Sequence, residues 1–309
     1  MASATSNLIP YPSDYKPIVA FDTSVHNRLM TDAAEEPTLK QIRSKRYVRV
    51  AGMSVEELAA TPDAAKRESL FTYAELVTQD DESDCLMPHN VLIEALILDH
   101  YNNPWNFDWR NVDVRSWGYH DELRKREIVL DNDLALEQRQ QQKEFQSQFR
   151  QMFTSLRPAL DEVFARHGTP RPLTFREALK VDESSNKRLV VTIGKRLYDR
   201  VTGDNISRVT VREFIAACPP FRAIIFGHMM AWYDLAVRDE HRGERFQCGR
   251  NDLFMAAYLP YCDEFITDEK HGEQERCLRE IAEVANIPTE VLSFDKFLER
   301  LVPCTEQPQ

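Results

Sequence analysis

The segment Pro17-Ile-Val-Ala-Phe-Asp22 constrains the fold most: four apolar residues in unbroken succession, closed by a carboxylate. A run this short suits a strand buried on both faces, as strands are in a parallel sheet sandwiched by helices. The pattern returns. Cys85-Leu-Met-Pro88 follows the acidic loop Asp80 to Asp84. Glu264-Phe-Ile-Thr267 is followed at once by two acids, and Glu290 to Phe294 reads as a last strand. Helical periodicity fills the intervals. Thr23 or Ser24 can cap a helix carrying Val25, Leu29 and Met30, and Ser54-Val-Glu-Glu57 has the form of a capping box. His89 to His100 is apolar at helical spacing, and Glu273 to Ala285 is amphipathic through Leu278, Ile281, Ala282 and Ala285. Strand–helix alternation predicts an α/β fold whose central parallel sheet is covered on both faces. Ligand groups in such sheets gather at the carboxyl ends of the strands.

From Tyr101 to about Arg212 the character changes. Asn102-Asn-Pro104 breaks the preceding helix, and a loop with Trp105, Trp109 and Trp117 follows. Asp121 to His167 is long and charged, with Phe145, Phe149, Met152, Phe153 and Leu156 at helical spacing; Leu173 to Lys180 and Lys187 to Val201 read as further helices. The expected organisation is a loose arm at 1–16, a sheet domain formed by 17–100 and 210–302, and a mainly helical insertion at 101–209. In the second half, helices are expected at Thr210 to Ala217, Pro220 to Arg238 and Asn251 to Leu259.

Composition narrows the function. The formal net charge of -11 argues against general affinity for polyanions, because neutralising phosphates takes Lys and Arg. The six cysteines form no CxxC pair and no zinc-finger spacing, so reduced thiols in a cytoplasmic protein are expected. No secretory signal opens the chain, and no run of about 20 apolar residues would cross a membrane. Glycine occurs nine times and never as GxGxxG or GxxxxGK[ST], which leaves a glycine-loop nucleotide cradle without support.

The acids at the strand ends carry the chemistry. Asp22 closes the first strand with Ser24 beside it. Glu94 lies on the helix after the second strand, Asp252 opens a helix that Asn251 could cap, and Asp268 and Glu269 follow the third strand behind Thr267. Hard cations such as Mg²⁺ take oxygen ligands, usually a few carboxylates plus water. Two such ions about 4 Å apart can activate a water and neutralise charge on a phosphorus under attack.

In order and spacing, Asp22-Thr-Ser24, Pro88 to Glu94, Asp252 to Ala257 and Ile266-Thr267-Asp268-Glu269 resemble the PIN-domain family. The resemblance covers roughly residues 17–100 and 210–300 and leaves the middle unmatched. It implies a PIN-like, Rossmannoid three-layer α/β/α fold and a metal-dependent ribonuclease. The implied catalytic and metal-binding set is Asp22, Glu94, Asp252, Asp268 and Glu269, holding Mg²⁺ or Mn²⁺, with Ser24, Asn251 and Thr267 in support. The family usually places its last acid two residues after the Thr, where Glu269 stands; Asp268 is adjacent, and either could be the ligand. Asp263 precedes the strand and would sit at its other end. The implied substrate is RNA, and a toxin or defence role is among the family's uses.

Arg43, Lys45 and Arg46 in the basic segment Lys40 to Arg49, together with Arg245 and Arg250 ahead of Asp252, are candidates to grip phosphates. The tryptophans could stack bases, although packing of the insertion is the commoner use. Partners beyond RNA, whether a second copy of the chain or a regulatory protein, stay open. The competing reading is a catalytically silent PIN-like scaffold that binds RNA or protein through its insertion. A phosphatase with Asp22 as nucleophile needs a second Asp two residues on, where Ser24 stands.

Overall fold

The computed structural model describes residues 16–32, 36–78, 85–116, 118–119, 121, 131–168, 170–238, 249–268 and 272–301. Nearly all of the expected arm, Trp117, Arg245 and Glu269 fall outside them. In chain order the elements are β1 (Ile18–Phe21), α1 (Thr23–Asp32), α2 (Glu36–Lys45), β2 (Tyr47–Val50), α3 (Gly52–Ala59), α4 (Ala64–Val77) and α5 (His89–Asn102). The middle holds α6 (Asn132–Thr154), α7 (Arg157–His167), α8 (Phe175–Val181), α9 (Glu183–Thr202) and α10 (Arg208–Ala217). The rest comprises α11 (Pro219–Trp232), α12 (Arg250–Phe254), β3 (Glu264–Thr267), α13 (Glu273–Ala285), β4 (Glu290–Ser293) and α14 (Phe294–Leu301). A π-helical stretch, Tyr233–Val237, prolongs α11, and a 3₁₀ stretch, Met255–Tyr261, prolongs α12.

The strands form one parallel sheet in the order β2-β1-β3-β4. Side chains alternate across it. Val19, Phe21, Ile266 and Leu292 point into a layer with Val25 and Leu29 of α1, Ile42 of α2 and Phe294 and Phe297 of α14. Ala20, Phe265 and Val291 point the other way, onto α11 and α13. Both faces are therefore dry, which is why the strands read as apolar runs.

Two strand expectations change. Cys85-Leu-Met-Pro88 is not a strand of the sheet: Cys85 makes an isolated parallel bridge to Val50, and Leu86 bridges Arg115 in the opposite sense. The Met87 amide donates to Val114 O (2.8 Å), and Pro88 has no amide to extend a ladder. Conversely, β2 lies inside the segment read as a basic cluster. Arg46 donates from Nε to Glu264 Oε2 at 2.6 Å, and Arg49 from Nη1 to the Tyr261 carbonyl at 2.6 Å. Lys45 donates to the Leu301 carbonyl. Lys45 and Arg46 thus fasten the amino edge of the sheet, away from its carboxyl edge, and Arg43 ends α2 beside them. These three do not face the strand-end acids.

The middle region is helical as expected, but it has no core of its own. Phe149 and Phe153 of α6, Tyr198 of α9, and Val211, Phe214 and Ile215 of α10 join the same cluster as Leu92 and Leu96 of α5 and most of α11. Tyr198 OH meets His100 Nδ1 at 2.7 Å, tying α9 to α5. A Cβ at Gly194 would meet Ile215 Cδ1 at 2.8 Å, so glycine there lets α9 and α10 approach closely. Each large side chain so buried contributes about 1.5–3 kcal/mol, which makes the insertion part of the domain's stability. Among the described residues no single helix is long and apolar enough to cross a membrane; α10 and α11 together have the composition but bend by 105° and pack in the core.

Candidate active site

The chain leaves β1 for β2 on one side and later returns to place β3 on the other. The direction of winding thus reverses between β1 and β3, and a crevice opens at their carboxyl ends. Asp22 follows β1 there, and Asp268 follows β3. Ser24 Oγ joins them: it donates to Asp22 Oδ2 at 2.5 Å and accepts from the Asp268 amide at 2.9 Å. Asp22 also accepts from the Ser24 amide at 3.3 Å in the entry to α1, and its own amide donates to Ile266 O at 2.9 Å.

Asp22 is buried, and burial raises its pKa above the usual carboxylate value. The Ser24 hydroxyl, the Gln274 side chain and the Ser24 and Thr23 backbones oppose that rise. Thr267 acts one step removed, donating from Oγ1 to Gln274 Oε1 at 2.6 Å. Asp268 is held differently, in a 3.0 Å ion pair with Arg28, which also reaches Asp295.

The residue that sequence reasoning missed is Glu57. It sits in α3 and accepts from Thr23 Oγ1 at 2.5 Å and from Asn251 Nδ2 at 2.8 Å. Burial first, and the charge of Asp22 second, push its pKa up to about 7, while Thr23 and Asn251 pull it down. The expected capping box is absent. α3 starts at Gly52 behind Ala51, which caps nothing with its side chain, and Ser54 Oγ instead donates to the Phe21 carbonyl at 3.1 Å. Glu57, assigned to a local cap by pattern, makes long-range contacts. Gly52 permits this placement: a Cβ there would stand 2.4 Å from Pro88 N and 2.6 Å from Leu86 O.

Asp252 lies in the first turn of α12 and folds back to accept from the Gly249 amide at 2.5 Å. With Glu57, Thr23 and Asn251 it lines a 420 Å³ cavity over the crevice. Asn251 does not cap α12, whose N-cap is Gly249; its amide orients Glu57, and its Oδ1 accepts from Arg250 at 3.4 Å. Lys66 of α4 and Arg139 and Lys143 of α6 complete the wall. Arg43, Lys45 and Arg46, the candidates to grip phosphates, are not among the residues that line this cavity.

Glu94 is not brought to this cavity. It is exposed on α5 and faces a neighbouring 770 Å³ cavity together with Glu56 and Arg250. The local pattern places Glu94 near a helix start but does not fix which way that face turns, and α3 occupies the position beside Asp22. The expected set is therefore not assembled as drawn: buried Asp22 is paired with half-buried Glu57, Asp252 shares the cavity with Glu57, Asp268 is tied to Arg28, and Glu269 lies outside the described residues. Among the described residues no group of three or more His, Cys, Asp or Glu is gathered tightly enough to cage an ion. The pair alone still suits Mg²⁺ or Mn²⁺, since Mg²⁺ is commonly held by one or two carboxylates with water filling the other positions.

Comparison with protein-family models, with curated proteins and with solved structures returns no match.

Proposed function

We propose that the chain is a PIN-like, divalent-cation-dependent hydrolase of RNA phosphodiester bonds, with Asp22 and Glu57 as its central carboxylates. One observation carries this reading. Elsewhere in the fold, buried acids are given cations: Asp234 has Arg276 at 2.9 Å and Glu264 has Arg46 at 2.6 Å. Asp22 and Glu57 are stabilised by hydroxyls, amides and backbone groups, and the charge of Asp22 raises rather than relieves the cost of ionising Glu57. A buried carboxylate whose charge raises the cost of ionising a half-buried neighbour is a standing cost that a bound cation removes.

The chain's own groups divide the work. Ser24 and Gln274 hold Asp22, and Thr23 and Asn251 hold both oxygens of Glu57. Asp252, released from Gly249, can turn into the cavity. Lys66, Arg139 and Lys143 supply the local positive charge that a phosphate backbone needs in a chain of net charge -11. A bound Mg²⁺ or Mn²⁺ would supply an activated water and neutralise charge on the phosphate. The identity of the polymer as RNA, and a toxin or defence setting, come from the PIN-like resemblance of the acid-bearing segments.

A catalytically silent scaffold is the second reading, favoured by the distance of Glu94 from the pair and by the Arg28 clamp on Asp268. Calorimetric titration of Mn²⁺ into the wild type and Asp22→Asn, alongside cleavage of a labelled single-stranded RNA, separates the two. Heat and cleavage in the wild type, both absent in Asp22→Asn, are expected. Equal, negligible heats in both proteins would remove the hydrolase.

A further inference from the structure

The 770 Å³ cavity shares two lining residues, Gln142 and Asn251, with the carboxylate cavity, so the two are neighbours across one wall. Its size is that of a small-molecule site. Its walls are part aromatic and part aliphatic, and its polar groups are amides and imidazoles together with the acids Glu56 and Glu94 and the cations Arg200 and Arg250. Phe145 and Phe149 rise from α6 and Phe254 from α12, while Asn90, Gln138 and Gln141 offer amides. His89 packs against Phe254 with centroids 5.2 Å apart and the rings tilted by 35°, and His228 does so at 4.7 Å and 38°. The Nδ1 of His89 is buried without a hydrogen-bond partner, an arrangement that costs free energy unless a ligand supplies one. His228 places Nδ1 2.9 Å from the Ile224 carbonyl, so in the neutral ring Nδ1 carries the proton and Nε2 is left as an acceptor. Arg250 lies 4.9 Å over the Phe254 ring and adds a planar donor at the mouth shared with Asn251.

An exposed ring, Phe145, beside amide donors and acceptors and the Arg250 guanidinium suits a nucleobase, which has a π-face and an amide-like rim. We propose that this cavity takes a single unstacked base of the strand whose phosphate lies in the carboxylate cavity, so that the helical insertion selects single-stranded or flipped-out substrate. The proposal rests on the hydrolase reading for the phosphate, but not for the base.

The test uses the full chain in EDTA with adenosine, guanosine, cytidine and uridine 5′-monophosphates, read by calorimetry and by saturation-transfer NMR. At least one nucleotide is expected to bind, with saturation transferred more strongly to base protons than to ribose protons. Phe145 is 54% exposed, so Phe145→Ala spares the core and should weaken that binding about tenfold or more. Asn90→Ala, also at an exposed position, should act in the same direction. No binding of any of the four to folded wild type, or ribose 5-phosphate competing as well as the nucleotides, would overturn the base site even if RNA is cleaved. Nucleotide binding that survives in a protein showing neither Mn²⁺ heat nor cleavage would uphold the base site and remove the hydrolase alone.

Discussion

Replacing Glu57 by Gln should make the protein more stable and inactive, and the size of the gain can be worked from the site. Burial and the Asp22 charge lift Glu57 from 4.5 to about 7. The folded chain therefore keeps a proton on Glu57 over a range where the unfolded chain has released it. Stability from this group is complete below pH 4.5 and is lost as pH rises through 7. At about 1.4 kcal/mol per pKa unit, the loss by pH 8 is about 3 kcal/mol. Gln cannot ionise and retains an oxygen and an amide for Asn251 and Thr23. Urea denaturation in EDTA should show Glu57→Gln matching the wild type near pH 4.5 and exceeding it by up to about 3 kcal/mol at pH 8. Mn²⁺ at pH 8 should reverse the ranking, because only the wild type gains a ligand pair for the cation. A stability difference that does not change with pH, or one of the opposite sign, would refute the picture of a frustrated carboxylate pair.

Three further outcomes follow from the same geometry. His26 is fully buried with neither ring nitrogen partnered, and burial lowers its pKa to about 4; the wild type should lose about 3 kcal/mol from it as pH falls from 6.5 through 4, and denaturation of His26→Phe should show that acid limb flattened. Gly52→Ala drives a Cβ into the backbone of Leu86 to Pro88; overpacking of this kind costs about 1–3 kcal/mol, visible as a lower melting temperature, and displaces α3 enough to depress cleavage. Arg139→Ala should weaken RNA binding and lower the slope of log affinity against log salt by about 0.7, the value for one phosphate contact on a single strand, whereas Arg46→Ala should destabilise the sheet edge and leave the slope unchanged.

What could be read from the chain was what is local. Asp22 and Asp268 end apolar runs, and a strand end fixes where a side chain emerges, so their meeting across Ser24 followed from parallel pairing of β1 and β3. Thr267, Ser24 and Asn251 were legible as neighbours of those acids, though not in the roles they play. Glu57 was visible but misassigned, because Ser54-Val-Glu-Glu57 satisfies a capping pattern at i, i+3 that the fold does not use. Its real partners, Thr23 and Asn251, are 34 and 194 residues away. The strand β2 was concealed because Tyr47-Val-Arg-Val50 alternates with charge and follows Lys45 and Arg46. Arg49 becomes intelligible only when Tyr261 is seen to receive it. Glu94 shows the converse: its helix was legible, but the strand expected before it is only a pair of isolated bridges, and helix rotation about its axis is set by packing of α5 on α9 and α11, which no local pattern encodes.

The helix α6 joins the two halves of the functional argument. Arg139, Gln142, Lys143 and Gln146 recur at i, i+3, i+4 and i+7 and line the carboxylate cavity; Gln138, Gln141, Phe145 and Phe149 recur on the adjacent stripe and line the other. One stripe carries cations suited to phosphate and the next carries rings suited to a base. The Gln-rich run that looks like compositional bias is thus the ridge between two cavities, with Gln142 facing both. A charge of -11 over the whole chain and a cationic stripe over one pair of acids are compatible because screening confines each to about 8–10 Å at physiological salt. On the proposed reading, phosphate binding in the cavity beside Glu57 is governed by the nearby Lys66, Arg139 and Lys143, not by the sum. The insertion, lacking a core of its own, lines both cavities through α6, and on the proposed reading it is the roof that orients the substrate over the carboxylates.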